Sequence, residues 1–326
     1  MGAKGLSDRG IIGRFFATLE ATTQASWITP TSMLFQSNQF EEIVKWLGST
    51  PAFRKWEGER EAKGIAESSV TIKNEDYEAT LEFKRREVTQ DKTTQVMTRV
   101  DEFAQRAAHH WASLMTDTLV AGEATAGYDG QFFFDTDHPD PAGGSVVQDN
   151  DLTGAATDHL APTDAEVQIA LKSCITAILG FLDDRVQPMN EQANRFTIVC
   201  PVGLVTAIAA GLNNPVILSG GAAVTNLVAT FGDWAINVVA NARLDRVAGW
   251  YETGVASKFA IFRTDGAVKP FIRVQDTPPS SPGVRMRALG AGSEHEMKTN
   301  KHMYGADVTR GVGFGYWQMA CLWTWT

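Results

Sequence analysis

From Gln95 to Ala121 apolar side chains come round every third or fourth position, at Met97, Val100, Ala104, Ala107, Trp111, Leu114 and Met115, with Thr118 in register and Gly122 beyond. That is the period of an amphipathic helix closed by a glycine, about 25 residues long where ordinary helices run to about 12. A second helix is announced by Thr163 and Glu166, a capping box, ahead of Val167, Ala170, Leu171, Cys174, Ile175, Ile178 and Leu182 on one face. Beyond it the pattern changes. "RFTIVCP" reads as a buried strand, "PVGLVTAIAAGL" as a helix with Pro201 in its first turn, and "WAINVVANARL", "SKFAIFRTD" and "KPFIRVQD" as three further strands. The closing stretch, "SEHEMKTNKHMYGADVTRGVGFGYWQMACLWTW", alternates through two segments joined around Tyr304–Asp307 and predicts long strands. Helices and strands do not alternate regularly, so the class is α+β.

The front of the chain is less regular. An amphipathic stretch, "DRGIIGRFFATLEATTQ", precedes a Trp/Pro/Ser segment without period, which suggests an arm laid over another surface. Phe53 to Lys92 is dense in both charge signs. Within it Val70 and Ile72 alternate with polar residues, "KNED" supplies a turn, and Ala79, Leu81 and Phe83 alternate again, which predicts a β-hairpin with one apolar face. Two strands are marginal alone, so the hairpin is expected to project and pack on a partner.

Composition narrows the function. The 326 residues are 44% hydrophobic and 21% charged, as in a globular protein, and the net charge of −9 argues against a general grip on nucleic acid. Between Glu123 and Glu191 there are thirteen Asp and Glu against two Lys and Arg, so nothing anionic is expected to dock there. No apolar run approaches the ~20 residues of a membrane crossing. Cys174, Cys200 and Cys321 are odd in number and set among apolar neighbours, the pattern of buried thiols and not of a zinc site. Of nine tryptophans, two fall in the last four residues, which predicts that a neighbouring subunit covers that end.

Candidate chemistry concentrates in "DGQFFFDTDHPDP". Asp135, Asp137, His138 and Asp140 offer hard-metal ligands or the base of a metal-dependent hydrolase, the alternative reading of this chain. Against it, the glycine and glutamate of an EF-hand are out of register, and Asp side chains between prolines cap their own turns. His109 and His110 are adjacent and cannot form the i, i+4 pair of a zinc helix; His295 and His302, in a predicted strand or turn, lack a third ligand nearby. "LSGGAAV" fits no phosphate-binding fingerprint and reads as a flexible loop, and the alternate glycines of "GVGFGYW" mark twist or close backbone approach in a strand. No nucleophile elbow is present, so no catalytic, cofactor or metal site is assigned.

"YDGQFFFDTDHP", "FTIVCPVGLVTAI", "FRTDGAVKPFIRVQD" and "HMYGADVTRGVGFGYWQMA", in this order and spacing, resemble the major head proteins of Mu-like bacteriophages and prophages over nearly the whole chain. The resemblance implies the Johnson (Hong Kong 97-type) capsid fold: an N-terminal arm at 1–52, an extended hairpin loop at 53–92, a peripheral domain with a spine helix at 93–184, an axial domain at 185–256, and a return to the peripheral sheet at 257–326. It implies hexamers and pentamers of the chain in an icosahedral shell that encloses DNA without binding it specifically. Scaffold, maturation protease and portal proteins would be its partners, and the shell would be assembled in the bacterial host cytoplasm. It implies no cofactor and no catalysis. Some shells of this fold join a loop lysine to an asparagine, and Lys63, Lys73 and Lys84 are available. Trp46, Trp56, Arg60, Lys63, Arg85 and Arg86 are the expected subunit-contact residues, the charged ones pairing across subunits with acids such as Glu82.

Overall fold

The computed structural model describes residues 7–47, 67–90, 94–139, 147–183, 186–219, 222–230, 232–276 and 283–326. In chain order the elements are α1 (Asp8–Ala21), α2 (Ile28–Thr31), β1 (Ser32–Gln36), β2 (Glu41–Leu47), β3 (Glu67–Lys73), β4 (Glu75–Lys84), α3 (Arg85–Thr89), α4 (Gln95–Val120) and β5 (Asp151–Gly154). There follow α5 (Asp164–Gly180), β6 (Arg195–Cys200), α6 (Val202–Asn213), β7 (Val216–Ser219), β8 (Ala222–Thr225), α7 (Leu227–Thr230), β9 (Ala235–Ala240), β10 (Tyr251–Glu252) and β11 (Ala256–Arg263). The last are β12 (Phe271–Gln275), β13 (Arg285–Leu289), α8 (Glu294–Thr299), β14 (Lys301–Phe314) and β15 (Ala320–Trp325).

The long helix is α4, and it ties two cores together. Its N-terminal half buries Val96, Val100, Phe103 and Ala104 against α1, β4 and β14, where Ile11, Phe15 and Tyr304 are fully buried. Trp111, Met115 and Leu119 of its C-terminal half enter the larger core with α5 and the strands around β11. Each fully buried side chain of this size contributes about 1.5–3 kcal/mol over an exposed one, so the single helix fixes both halves to one frame. The buried face is rotated slightly from the predicted one, with Val96, Phe103 and Leu119 inside. Helix α5 starts where its capping box says: Thr163 accepts from the Glu166 N–H, and Glu166 accepts from the N–H of Thr163.

One sheet runs β1-β12-β14-β13, with β4 on the other edge of β14. Strand β14 is 14 residues long because residues 303–307 pair with β13 and 310–314 with β12 along one edge, while 301–310 pair with β4 along the other. The second sheet runs β5-β15-β11-β6-β9, with β10 beside β11. Strands β6 and β9 are parallel and joined through α6; β11 is antiparallel to both its neighbours.

Three expectations are corrected. Strands β3 and β4 do not form a hairpin: β3 pairs with β2, Ile43 opposite Thr71, and β4 pairs with β14. Alternation of apolar residues sets the buried face of a strand but not its partner. Tyr304–Asp307 is no joint but lies inside β14, and the stretch before it, Glu294–Thr299, is a helix capped by Ser293. The C-terminal tryptophans are covered by their own chain, not by a neighbour: β15 lies between β5 and β11, with Trp323 4% and Trp325 0% exposed. The front of the chain packs on its own α4 through α1, and β1 adds a parallel strand to β12. All three cysteines are free and buried, and burial pushes the Cys200 thiol up to about 12.

Candidate assembly surfaces and the acidic loop

Strands β2 and β3 form a two-stranded ribbon apart from both sheets. Its base is anchored chemically. The Asn74 N–H donates to Phe40 O at 3.0 Å and its Nδ2 to Gln39 O at 2.6 Å, which clips together the two chain ends where the ribbon leaves the body. Ile72, 2% exposed, packs with Ile272 and Val274 across the sheet. It can do so because Gly311 and Gly313 leave a notch: a Cβ at Gly313 would lie 2.6 Å from Ile72 Cγ1, and one at Gly311 would lie 2.4 Å from Lys73 O. The alternate glycines of "GVGFG" therefore permit close backbone approach, as their strand context predicts.

Around this base lie apolar side chains that the body leaves in solvent: Leu34 48%, Phe35 40%, Phe40 79% and Ile43 59% exposed. Leu34 and Phe35 lie on β1, Ile43 on β2 and Phe40 between them, and exposed apolar area gathered in this way is the property of a surface that another chain covers. The sequence reading missed all four, since nothing in an alternating pattern tells which of a strand's two faces finds a core. Of the expected contact residues, Trp56, Arg60 and Lys63 lie outside the described residues, and Trp46 stands on β2 opposite Ser68. Arg85 and Arg86 open α3 and are exposed. Arg85 reaches Glu296 within its own chain at 3.6 Å, and Glu82 is engaged within the chain by Lys301 and His295, which hold its carboxyl below the usual range. A groove of about 430 Å³ between α4 and β4 carries Arg99, Glu102 and Arg106 from the helix and Glu78 and Asp307 from the strands. Mixed signs on a solvated wall do not converge on one ligand.

The acidic loop is built inward. His138 is 0% exposed; its Nδ1 is 2.7 Å from Asp129 Oδ2, its Nε2 is 3.2 Å from Asn150 Oδ1, and its ring stacks on Trp317 at 3.8 Å. Asn150, also fully buried, accepts from the Asp135 N–H and donates to Phe133 O. Both nitrogens of His138 thus face protein oxygens, and neither is presented to a metal. Asp137 is hydrogen-bonded to Asp135, which raises its own pKa and lowers its partner's. Asp140 lies outside the described residues. Among the described residues no group of three or more His, Cys, Asp or Glu is placed to hold a metal ion, and no helix is long and apolar enough to cross a membrane. What the arrangement does is pin the loop after α4 to the start of β5 and to Trp317.

Where α4 meets β12 and β14, Arg273 and Arg310 both lie over the Trp111 ring, 5.0 and 4.5 Å from its centroid. They are 5% and 3% exposed. Arg310 Nη1 donates to Ala107 O and His110 Nδ1, each at 3.2 Å, and burial together with Arg310 and Arg243 pushes His110 down to about 4.

A long helix bridging two cores, two mixed sheets and a separate two-stranded ribbon make the Hong Kong 97-type fold of phage capsid proteins. The chain is similar to the procapsid of bacteriophage JBD30, with a TM-score of 0.51 at 19% identity over 97% of this chain and 75% of that chain. It is also similar to the mature capsid of bacteriophage PhiM1, with a TM-score of 0.58 at 9% identity over 92% of this chain and 86% of that one. At such identities the likeness is one of fold. In sequence, residues 8–162 match the family of the Mu-like prophage major head subunit gpT. Over 140 residues, 43% of this chain and 46% of the relative, it is 28% identical to the Mu-like prophage FluMu major head subunit of Haemophilus influenzae. Over 127 residues, 39% of this chain and 40% of the relative, it is 28% identical to the major capsid protein of Escherichia phage Mu. The resemblance to Mu-like major head proteins is thus shown, and the match spans somewhat less than half the length of each of these relatives.

Proposed function

We propose that copies of this chain assemble, as hexamers and pentamers, into the closed icosahedral head shell that encloses packaged phage DNA. The observation that carries the reading is the match of residues 8–162 to a major head subunit on a chain with the capsid fold. Physical chemistry supports it. A shell places one chain in slightly different settings, so it needs rigid bodies joined by adaptable projections. Here α4 supplies the rigidity and the β2–β3 ribbon the projection. Drawing the extended loop from Glu41 to Lys73 suits the strand pairing better than 53–92, while the divisions at 93–184, 185–256 and 257–326 remain part of the proposal. Net charge of −9 suits a container whose wall should not hold DNA tightly.

Scaffold, protease and portal proteins are the proposed partners, and the host cytoplasm the place of assembly. The test is electron microscopy of the protein made in bacteria with and without its neighbouring phage genes. Closed polyhedral shells are the expected result; small uniform particles under both conditions would sink the proposal. Replacing residues 41–73 by a short Gly/Ser loop should leave a folded chain that closes no shells.

A further inference from the structure

Arg273 on β12 and Arg310 on β14 are diagonal neighbours on one face of their sheet, because Arg273 pairs with Val312 and Gln275 with Arg310. They are 5% and 3% exposed. A guanidinium does not escape the cost of burial by giving up its proton, so a buried arginine calls for a counter-charge. Elsewhere the chain supplies one. Arg14, Arg263 and Arg285 meet Asp101, Asp265 and Asp276 at 2.6, 2.6 and 2.5 Å. Among the described residues no carboxylate pairs with Arg273 or Arg310, and both lie over the one Trp111 ring. Like charge gathers there: burial and the nearby Arg273 bring the Arg310 guanidinium down to about 10, and Arg310 and Arg243 add to the burial that holds His110 down. The local field is positive inside a chain of net charge −9.

The hydrogen bonds show which edge is open. Arg310 Nη1 is occupied, donating to Ala107 O and His110 Nδ1. Its Nε is buried and, among the described residues, has no hydrogen-bond partner. In Arg14 the same edge, Nε with Nη2, is the fork that grips Asp101, at 2.7 and 2.6 Å. Arg310 thus holds inside the protein the side of a guanidinium that chelates two oxygens of one anion. Among the described residues Arg273 spends only its Nε, on Ser32 Oγ at 2.8 Å.

We propose that Arg310 and Arg273 form a binding site for one small free oxyanion, phosphate or sulfate, chelated by the Nε–Nη2 edge of Arg310 with Arg273 as the second cation. Burial sets the size: a partner's side chain or a nucleic-acid strand would have to part α4 from the sheet to reach two groups so little exposed. The ion is a counter-charge at the junction of α4 with β12 and β14, and its presence does not depend on the shell reading.

The probe is inorganic phosphate, in equilibrium dialysis of the full chain against labelled phosphate in a chloride background of fixed ionic strength. One phosphate per chain is expected, displaced by sulfate and not by chloride, with an unfolding temperature that climbs with phosphate concentration. Arg310→Met and Arg273→Met should each weaken uptake at least about tenfold. Arg243→Gln, which removes an exposed cation nearby, should leave it nearly unchanged. Phosphate and sulfate also stabilise folds by exclusion from their surfaces, so the thermal effect is read as the difference between the parent and the Met variants. Where one Met variant fails to fold, the other and the sulfate competition in the parent still decide. No uptake by the parent, or equal uptake by a folded Met variant, would overturn the site. A duplex oligonucleotide at the same phosphate concentration separates the sources: it should displace none of the bound ion, and displacement would assign the edge to a nucleic-acid phosphate and overturn the free ion.

Discussion

Ile72 occupies the space in which a side chain at Gly313 would begin, its Cγ1 standing 2.6 Å from the missing Cβ. The ribbon's exit from the body is set by that contact. Gly313→Val should therefore lower stability by about 1–3 kcal/mol, as overpacking does, and misdirect the ribbon. Thermal unfolding reads the first effect and particle shape the second. Ile72→Ala in a Gly313→Ala background should cost less than the two single changes added together, because the first removes what the second meets. No trimming should rescue Gly311→Ala, because what a Cβ meets there is the backbone oxygen of Lys73.

Among the described residues no carboxylate pairs with Arg310 or Arg273, so the Trp111 ring and backbone or neutral acceptors carry the burial of two guanidiniums. A lysine at 310 keeps the buried charge but loses the planar stack and the fork of donors. A methionine gives up the donors and the charge together. Arg310→Lys is thus expected to unfold at a lower temperature than Arg310→Met, and the His110 titration followed by NMR should move up from about 4 in Arg310→Met. Equal stability of the two variants would mean that an unstacked buried charge at 310 costs nothing.

Two groups give opposite pH dependence. His110, depressed to about 4 by burial and by Arg310, is uncharged when folded; the unfolded chain takes up its proton first, so its contribution is present above about pH 6.5 and is lost as pH falls toward 4. Asp151, raised to about 6 by burial and by Glu123, works the other way: its contribution is present at low pH and is lost as pH rises through about 6. Asp151→Asn should raise the unfolding temperature at pH 7.5 and leave it nearly unchanged at pH 4. His110→Gln should flatten the decline between pH 6.5 and 4.

In the acidic loop the important residue is Asn150 rather than the carboxylates. Asn150→Leu strands the Asp135 N–H and Phe133 O in the interior, at about 1–3 kcal/mol for each group left unpaired. Asp137→Asn, at an exposed position, should change stability by less than about 0.5 kcal/mol. Equilibrium dialysis with a divalent ion should show no stoichiometric uptake by either protein. Uptake lost in Asp137→Asn would return the loop to consideration as a catalytic site.

How much of this was legible in the sequence depended on the range of the forces involved. α4 and α5 were readable because a helix makes its hydrogen bonds within itself, so period and cap announce it locally. Strand positions were readable from the local alternation of apolar and polar side chains; their partners, reached by hydrogen bonds between distant segments, were not. Ile72 next to "KNED" looks like one arm of a tight hairpin, yet its strand turns back to Glu41–Leu47, and nothing nearby encodes that choice. His138 shows the same limit: a metal ligand by composition, it is placed by Asn150 and Trp317, 12 and 179 positions further on. The glycines at 311 and 313 were recognised as sites of close approach, although what approaches was not.

Residues 301–325 supply an interior strand to each sheet, β14 between β4 and the β12–β13 edge, and β15 between β5 and β11. Until they have been synthesised, neither sheet can close, and every earlier strand that borders them keeps an open edge. Folding of both sheets therefore waits on β14 and β15, and a chain cut before residue 301 lacks an interior strand of each. In the proposed shell that would be a form of inspection: an incomplete copy never acquires the shape that would admit it.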